Sequence, residues 1–282
     1  MPSFRFLRPD DFPLLAAAVN ACYDVHFPGT QPYSTERARR EMKDLGLWAS
    51  SCMLALEDKD PASVLVGARG AQASSILRLG THPDHQRRGH AGHMLESLVA
   101  KMRIVGPKKL RVELPEERAD LRAFFAKRGF KDMAELRDYG LETELPAPAH
   151  PEMITPLNLN DVEDRLPNLE TCAWTRGTVA LRRLGEKLSG LGVNTMDGIA
   201  AYLLYPAAAD PGAGRPVEIL ALGCADASRA HLFLGMLCAK LHGISGLPLM
   251  IPRLAQGEIS FEIVENLGFS CTRRYRLYER AV

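Results

Sequence analysis

The feature that most restricts how this chain can fold is a repeat. Ile76-Leu77-Arg78-Leu79-Gly80 returns 143 residues later as Ile219-Leu220-Ala221-Leu222-Gly223. Arg128-Gly129-Phe130 returns 139 residues later as Leu267-Gly268-Phe269. Two matches in order, at nearly one offset, imply two copies of one domain, because the period is far too long for a solenoid. Between the copies, Leu145-Pro146-Ala147-Pro148-Ala149-His150-Pro151 carries three prolines in seven residues and reads as a stiff linker. The expected division is a first domain over 1–145, a linker over 146–151 and a second domain over 152–282. A length of 282 residues suits two domains.

Each copy alternates strands with helices, which makes it an α/β (α+β) unit. In the first copy, Phe4 to Leu7 is extended. Pro9-Asp10-Asp11 then introduces an Ala- and Leu-rich helix from Phe12 to about Val25. Ser34 is a good N-cap for a polar helix over Thr35–Leu45. Asp58-Lys59-Asp60-Pro61 separates two short apolar runs and signals a hairpin. Ser74–Thr81 reads as a strand, Ala91–Val105 as an amphipathic helix and Leu110–Leu114 as a strand. Arg118–Arg128 reads as a helix closed by Gly129, and Phe130–Leu145 as a last extended segment.

Composition narrows the function. With 46% hydrophobic and 24% charged residues, the chain is globular rather than disordered. The formal net charge is +1. Lys+Arg and Asp+Glu number 22 and 20 before residue 151, and 13 and 14 after it. Neither half is a basic platform, so no nucleic-acid partner is expected. No apolar run reaches the roughly 18 residues of a membrane span, so no membrane partner is expected either. Arg5, Arg8, Asp10 and Asp11 interrupt any signal-peptide pattern, and six scattered cysteines without a CxxC read as reduced thiols. The expected compartment is the cytoplasm. No Gly-x4-Gly-Lys or Gly-x-Gly-x-x-Gly sequence supports nucleotide hydrolysis or NAD chemistry.

The most informative stretch joins the strand ending at Thr81 to the following helix: Gln86-Arg87-Arg88-Gly89-His90-Ala91-Gly92. A helix start presents free N–H groups and the positive end of the helix dipole, which together hold phosphate oxygens. Gly89 lets the backbone approach a ligand, small residues at 91 and 92 leave room for a diphosphate, and Arg87 and Arg88 add positive charge.

This stretch resembles the acyl-CoA-binding motif of the GNAT superfamily of N-acetyltransferases, Gln/Arg-x-x-Gly-x-Gly/Ala. Thr81-His82-Pro83 stands in the family's Val-x-Pro place, and Phe124-Phe125-Ala126-Lys127-Arg128-Gly129-Phe130 resembles the family's helix ending in Gly-Phe. The resemblance implies two tandem GNAT-like domains, each a mixed, largely antiparallel sheet flanked by helices. It implies acetyl-CoA (or CoA) as the cofactor and direct acetyl transfer to an amine of a small molecule or peptide. Backbone groups of Leu79 and Thr81 would bond the pantetheine arm, and amides from Gln86, Arg87, Arg88, Gly89, His90, Ala91 and Gly92 would hold the diphosphate. An acyl-CoA-binding or scaffold protein without turnover is the rival. The oligomeric state is open, with a homodimer admitted.

The departures concern the chemistry. The family often places a tyrosine general acid where this chain has Phe125, a cofactor-contacting asparagine where it has Arg118, and a base carboxylate where it has Ser75. Glu113, on the next strand, is the candidate base, and Tyr33, on a loop over the cleft, the candidate acid. His82, His85, His90 and His93 are spaced loosely, and no metal is expected of them; they read as solvated. In the second copy, Ala225-Asp226-Ala227-Ser228-Arg229 has no glycine at the phosphate-facing positions, and Asp226 would repel a diphosphate. That copy reads as degenerate.

Overall fold

The computed structural model describes residues 2–26, 31–143, 145–166, 170–207 and 215–282. In chain order the first copy runs β1 (Ser3–Phe6), α1 (Phe12–Cys22), α2 (Thr35–Asp44), β2 (Met53–Glu57), β3 (Asp60–Arg69), β4 (Ser74–Thr81), α3 (His90–Val105), β5 (Lys109–Pro115), α4 (Ala119–Ala126) and β6 (Lys131–Leu141). The second runs β7 (Ile154–Leu157), α5 (Thr178–Leu184), β8 (Leu188–Thr195), β9 (Gly198–Pro206), β10 (Val217–Glu218), β11 (Ala221–Cys224), α6 (Ala230–Ser245), β12 (Leu249–Ala255), α7 (Phe261–Asn266) and β13 (Ser270–Ala281).

These elements fold into two compact units, each assembled from separated pieces of chain. The first comprises the residues up to Glu113, with Ala123–Asp132 and Tyr278–Val282. The second comprises Leu114–Arg122 and Met133–Leu277. These are not the boundaries expected from sequence. The proline-rich run 145–151 lies inside the second unit, because β6 before it already pairs with β12, from Leu141↔Leu249 to Leu136↔Ala255.

In the first unit the strand order is β1-β2-β3-β4-β5, and the end of β13 lies on the far side of β5. There the Val282 N–H donates to the Lys108 carbonyl, 2.9 Å away, and Arg111 Nε meets Glu279 at 2.7 Å. Local chemistry sets the elements. Ser34 Oγ accepts from the Arg37 N–H at 3.1 Å and caps α2. Asp58 and Lys59 take φ values of 50° and 79°, giving the two-residue turn that matches strand twist between β2 and β3. Gly129, at φ 78°, ends the turn after α4, and Gly268, at φ 93°, does the same after α7. The core of this unit packs Leu15, Val19 and Cys22 of α1 on Leu54, Val64 and Val66. Burial of one such aliphatic side chain contributes roughly 1.5–3 kcal/mol.

The feature that positions the site is the partnering of β4. It pairs antiparallel with β3 along its whole length, from Arg69↔Ser74 to Ser63↔Thr81, with a bulge between Val66 and Gly67. It pairs parallel with β5 only from Ser74↔Leu110 to Ile76↔Val112. Past Ile76 the two strands part.

The second unit repeats this arrangement. Val217 and Glu218 of β10 pair parallel with β12, whereas Ala221–Cys224 of β11 pair antiparallel with β9. Strands β11-β9-β8-β7 form one sheet, and the start of β13, β6, β12 and β10 lie in order in the other. α6 buries Phe233, Leu234, Leu237 and Leu241 in the core of this unit. Among the described residues, no helix is long and apolar enough to cross a membrane.

Candidate functional site

The site in the first unit begins where β4 leaves β5. The His82 N–H donates to the Ala62 carbonyl at 3.0 Å, and the register sets Thr81 opposite Ser63. Hydrogen-bonding direction alternates along an antiparallel strand, so the amide groups of Leu79 and Thr81 face away from β3, toward the opening. The Thr81 carbonyl accordingly meets His26 Nε2 at 3.0 Å. Gly80 is required here, because a Cβ would run into the Cys22 carbonyl at the end of α1.

The turn after β4 has the backbone of an anion site. Arg87 and Gly89 both take left-handed conformations, at φ 61° and 86°. Such alternation turns successive N–H groups toward one point. Gly89 is the N-cap of α3, no side chain caps that helix, and its first turn carries no acidic residue. The N–H groups of the first turn have no intrahelical acceptor. A Cβ on Gly89 would meet nothing within 4 Å, so this backbone is open. Gln86, Arg87 and Arg88 are exposed, while Ala91 and Gly92 are half-buried.

Arg128 belongs to the same place, and its number in the sequence gave no sign of that. A Cβ on Gly92 would lie 2.6 Å from Arg128 Nη2. The guanidinium also stacks on Phe124, 3.8 Å from the ring centroid, and donates from Nη1 to the Phe124 carbonyl at 3.0 Å. An oriented cation thus lies over the first turn of α3. With the open amides and Arg88, it forms a donor set suited to a diphosphate, and the splayed strand beside it suits an amide-bearing arm.

The acid and base candidates fare differently. Tyr33 is not on the surface of a cleft: it is 2% exposed, and its hydroxyl donates to Glu41 Oε2 at 2.7 Å. Its backbone is pinned too, since Asn20 Oδ1 accepts from the Tyr33 N–H at 2.7 Å. Burial, with Glu41 beside it, pushes the phenol well above its ordinary range. This corrects its reading as an accessible acid. Tyr33→Phe should lower stability by about 1 kcal/mol, the net worth of one hydrogen bond. Parallel thermal melts of the variant and the wild type check this. Glu113 is half-buried and follows Val112, the last β5 residue paired with β4. Phe125 is buried, edge-on to Phe124 and Phe130, so no phenol stands in its place. Sequence reasoning missed His26 and Asp24, which lie on one short turn (Asp24–His26) after α1. Asp24 Oδ2 is buried without a hydrogen-bond partner, and burial raises its carboxyl.

Glu41 anchors the wall behind Tyr33. It accepts two bonds from Arg78, both at 2.8 Å, and one from Arg37 Nε at 3.2 Å. Burial alone would raise its carboxyl, but Arg78, Tyr33 and Arg37 outweigh that and hold it below the ordinary value of 4.5. A depressed carboxyl stabilises the fold above its unfolded value and loses that contribution as pH falls through the folded one. Stability of the wild type should therefore drop as pH goes below 4.5. Glu41→Gln, less stable at neutral pH, should show a shallower drop in melts taken from pH 6 to 3.

In the second unit the equivalent opening is filled. Arg176 Nη1 donates to the Ile219 carbonyl, just past β10, at 2.8 Å and to the Pro252 carbonyl, on β12, at 3.3 Å. Its Nε meets Glu258 Oε2 at 2.7 Å, and the two side chains are 0% and 3% exposed. The turn that follows is closed by its own carboxylate: Asp226 Oδ1 accepts from the Ser228 N–H at 2.9 Å and from Ser228 Oγ at 2.7 Å.

A family model for the Acetyltransferase (GNAT) family matches residues 17–130. Among solved structures, a GCN5-related N-acetyltransferase from Sphaerobacter thermophilus superposes with a TM-score of 0.68 at 15% identity, over 99% of this chain and 95% of that one. A tandem GNAT protein from the clavulanic acid biosynthesis pathway superposes with a TM-score of 0.65 at 16% identity, over 100% and 98%. A GCN5-related N-acetyltransferase from Anabaena variabilis gives 0.64 at 10% identity, over 100% and 73%. Among curated proteins, none matches the sequence. Residues 17–130 therefore match the GNAT family's domain, and the turn after β4 lies within that match. As a whole, the chain has the tandem GNAT fold.

Proposed function

We propose that the first unit binds acetyl-CoA (or CoA) and moves the acetyl group directly to an amine of a small molecule or peptide, and that the second unit has lost cofactor binding. The observation that carries this reading is the meeting of two features on one strand. β4 opens from β5 past Ile76, and it leads into an uncapped α3 whose N-cap is Gly89. The bound cofactor supplies an activated acetyl thioester. Leu79 and Thr81 amides orient the pantetheine arm, with the Thr81 carbonyl already bonded to His26. Backbone N–H groups of the turn from Gln86 to Gly92, with Arg88 and Arg128, hold the diphosphate. Glu113 takes the proton from the incoming ammonium, while His26 Nε2 donates to the Thr81 carbonyl and steadies the end of β4. The reaction belongs in the cytoplasm, without nucleic acid or membrane, on a single chain or a homodimer.

The filled opening in the second unit supports one cofactor per chain. Calorimetric titration with acetyl-CoA should give one site per chain; two sites, or none, would overturn the reading. A panel of amines with acetyl-CoA then tests turnover. Phe125, where the family often has a tyrosine, favours one other reading, an acyl-CoA binder without turnover. Binding at one site with no acetyl transfer to any amine would select it.

A further inference from the structure

Three side chains beside the turn after β4 meet in a way that neither the family nor the proposed reaction explains. Glu57 ends β2, His85 lies on the short turn Pro83–His85, and His90 opens α3. Their ligand atoms all lie within 4.8 Å of one another. His85 Nδ1 is 3.1 Å from Glu57 Oε2, and His90 Nε2 is 3.5 Å from Glu57 Oε1. Both ring nitrogens are buried, yet neither has a hydrogen-bond partner. His90 is 4% exposed, which corrects the expectation that it is solvated.

Two buried imidazole nitrogens that lie beside one carboxylate without a hydrogen bond to it are costly unless something satisfies them. Zinc-type ions bind imidazole nitrogen and carboxylate oxygen at about 2.0–2.2 Å, so adjacent ligand atoms of a tetrahedral shell lie roughly 3.3 Å apart. The two nitrogens lie 3.1 and 3.5 Å from the two oxygens of the Glu57 carboxylate, close to that spacing, and the ligand atoms all fall within 4.8 Å of one another. The remaining histidines of the cluster are otherwise engaged. His82 Nδ1 accepts from the Asp84 N–H at 3.3 Å, and His93 lies against Phe4 with ring centroids 4.2 Å apart. Glu57 also meets Arg88 at 3.2 Å, but that side chain is 54% exposed and can turn away when a cation takes the carboxylate.

We propose that Glu57, His85 and His90 bind one divalent transition-metal ion of the zinc type, which ties β2, the turn after β4 and the start of α3 together. Water completes the shell from the solvent side, where Glu57 and His85 are half-buried. The site does not depend on cofactor binding. Imidazole and carboxylate favour zinc, cobalt or nickel over calcium or magnesium.

The test titrates the chelator-stripped full chain with Co2+ alone, followed by visible absorption, and then displaces it with Zn2+. One Co2+ per chain is expected, released by one equivalent of Zn2+. Saturating Zn2+ should also raise the melting temperature. Glu57→Gln and His85→Ala should each weaken Co2+ affinity by at least about tenfold and abolish the Zn2+-dependent melting shift. His82→Ala and His93→Ala should leave both unchanged. The Glu57 and His85 variants carry the test, because His90 is buried and its loss can unfold the helix start. Absence of stoichiometric Co2+ uptake by folded wild-type protein overturns the proposal. So does uptake that survives both Glu57→Gln and His85→Ala, or that is lost with His82 or His93.

Discussion

Gly89→Glu is expected to weaken acetyl-CoA binding by at least about 100-fold, equivalent to roughly 2.7 kcal/mol. A carboxylate at the cap of α3 would oppose a diphosphate bound there as proposed, and like charges near a protein surface oppose each other by up to about 4 kcal/mol. Two effects have to be separated, because Gly89 sits at φ 86°, a conformation that any side chain strains. Gly89→Ala isolates the strain. It should lower stability by about 1–2 kcal/mol while leaving affinity within a few-fold, since its Cβ meets nothing within 4 Å. Calorimetry and melts of the two variants check this together. Equal affinity losses in both would mean that backbone shape, not charge, governs the turn. Unchanged affinity in Gly89→Glu would move the diphosphate elsewhere.

Arg176→Met is expected to destabilise the second unit by about 3–5 kcal/mol, because it leaves Glu258 buried without its cation. Glu258 keeps the Ala255 N–H, at 3.1 Å, as a donor, which does not compensate a buried charge. Arg176→Met combined with Glu258→Leu should recover most of the loss, since a buried ion pair replaced by apolar side chains is often neutral or better. Denaturant melts of the two single variants and the double one give the coupling directly. A loss below about 1 kcal/mol in Arg176→Met would show that the pair fills space without holding the diverging strands. In either result the double variant should still bind acetyl-CoA at one site only, since Asp226 continues to occupy the amides of the following turn.

Much of the fold could be read along the chain. Each helix and strand expected in the first copy is present, with ends displaced by a few residues, because apolar period, Ser34, Asp58-Lys59 and Gly129 are local signals. The turn after β4 was legible for the same reason: Gly89 and its neighbours act through their own backbone. What stayed hidden depends on partners far apart in the chain. Tyr33 follows a proline in a connecting stretch, so nothing nearby announces its bond to Glu41 or its burial under Arg78. Glu57 reaches His85 and His90 only through the β2–β3–β4 pairing. Arg176 lies outside any strand and before a short helix, and only the closed fold brings it between Ile219 and Pro252. The boundary at the prolines misled because rigidity of the backbone says nothing about which sheet the flanking strand has joined.

The last strand has a consequence for synthesis. β5 is complete once Pro115 is made, but its outer neighbour in the first unit includes Tyr278–Val282. At about 5–20 residues per second, translation needs many seconds to cover that interval. Throughout it, the nascent first unit presents an unpaired strand edge, the kind of surface that templates wrong pairing. Folding here is not vectorial in the usual sense, with an early domain finished before a later one begins. Cells making this protein are expected to rely on nascent-chain chaperones over that window, and ribosome-bound chains stalled before Tyr278 should remain protease-sensitive along β5.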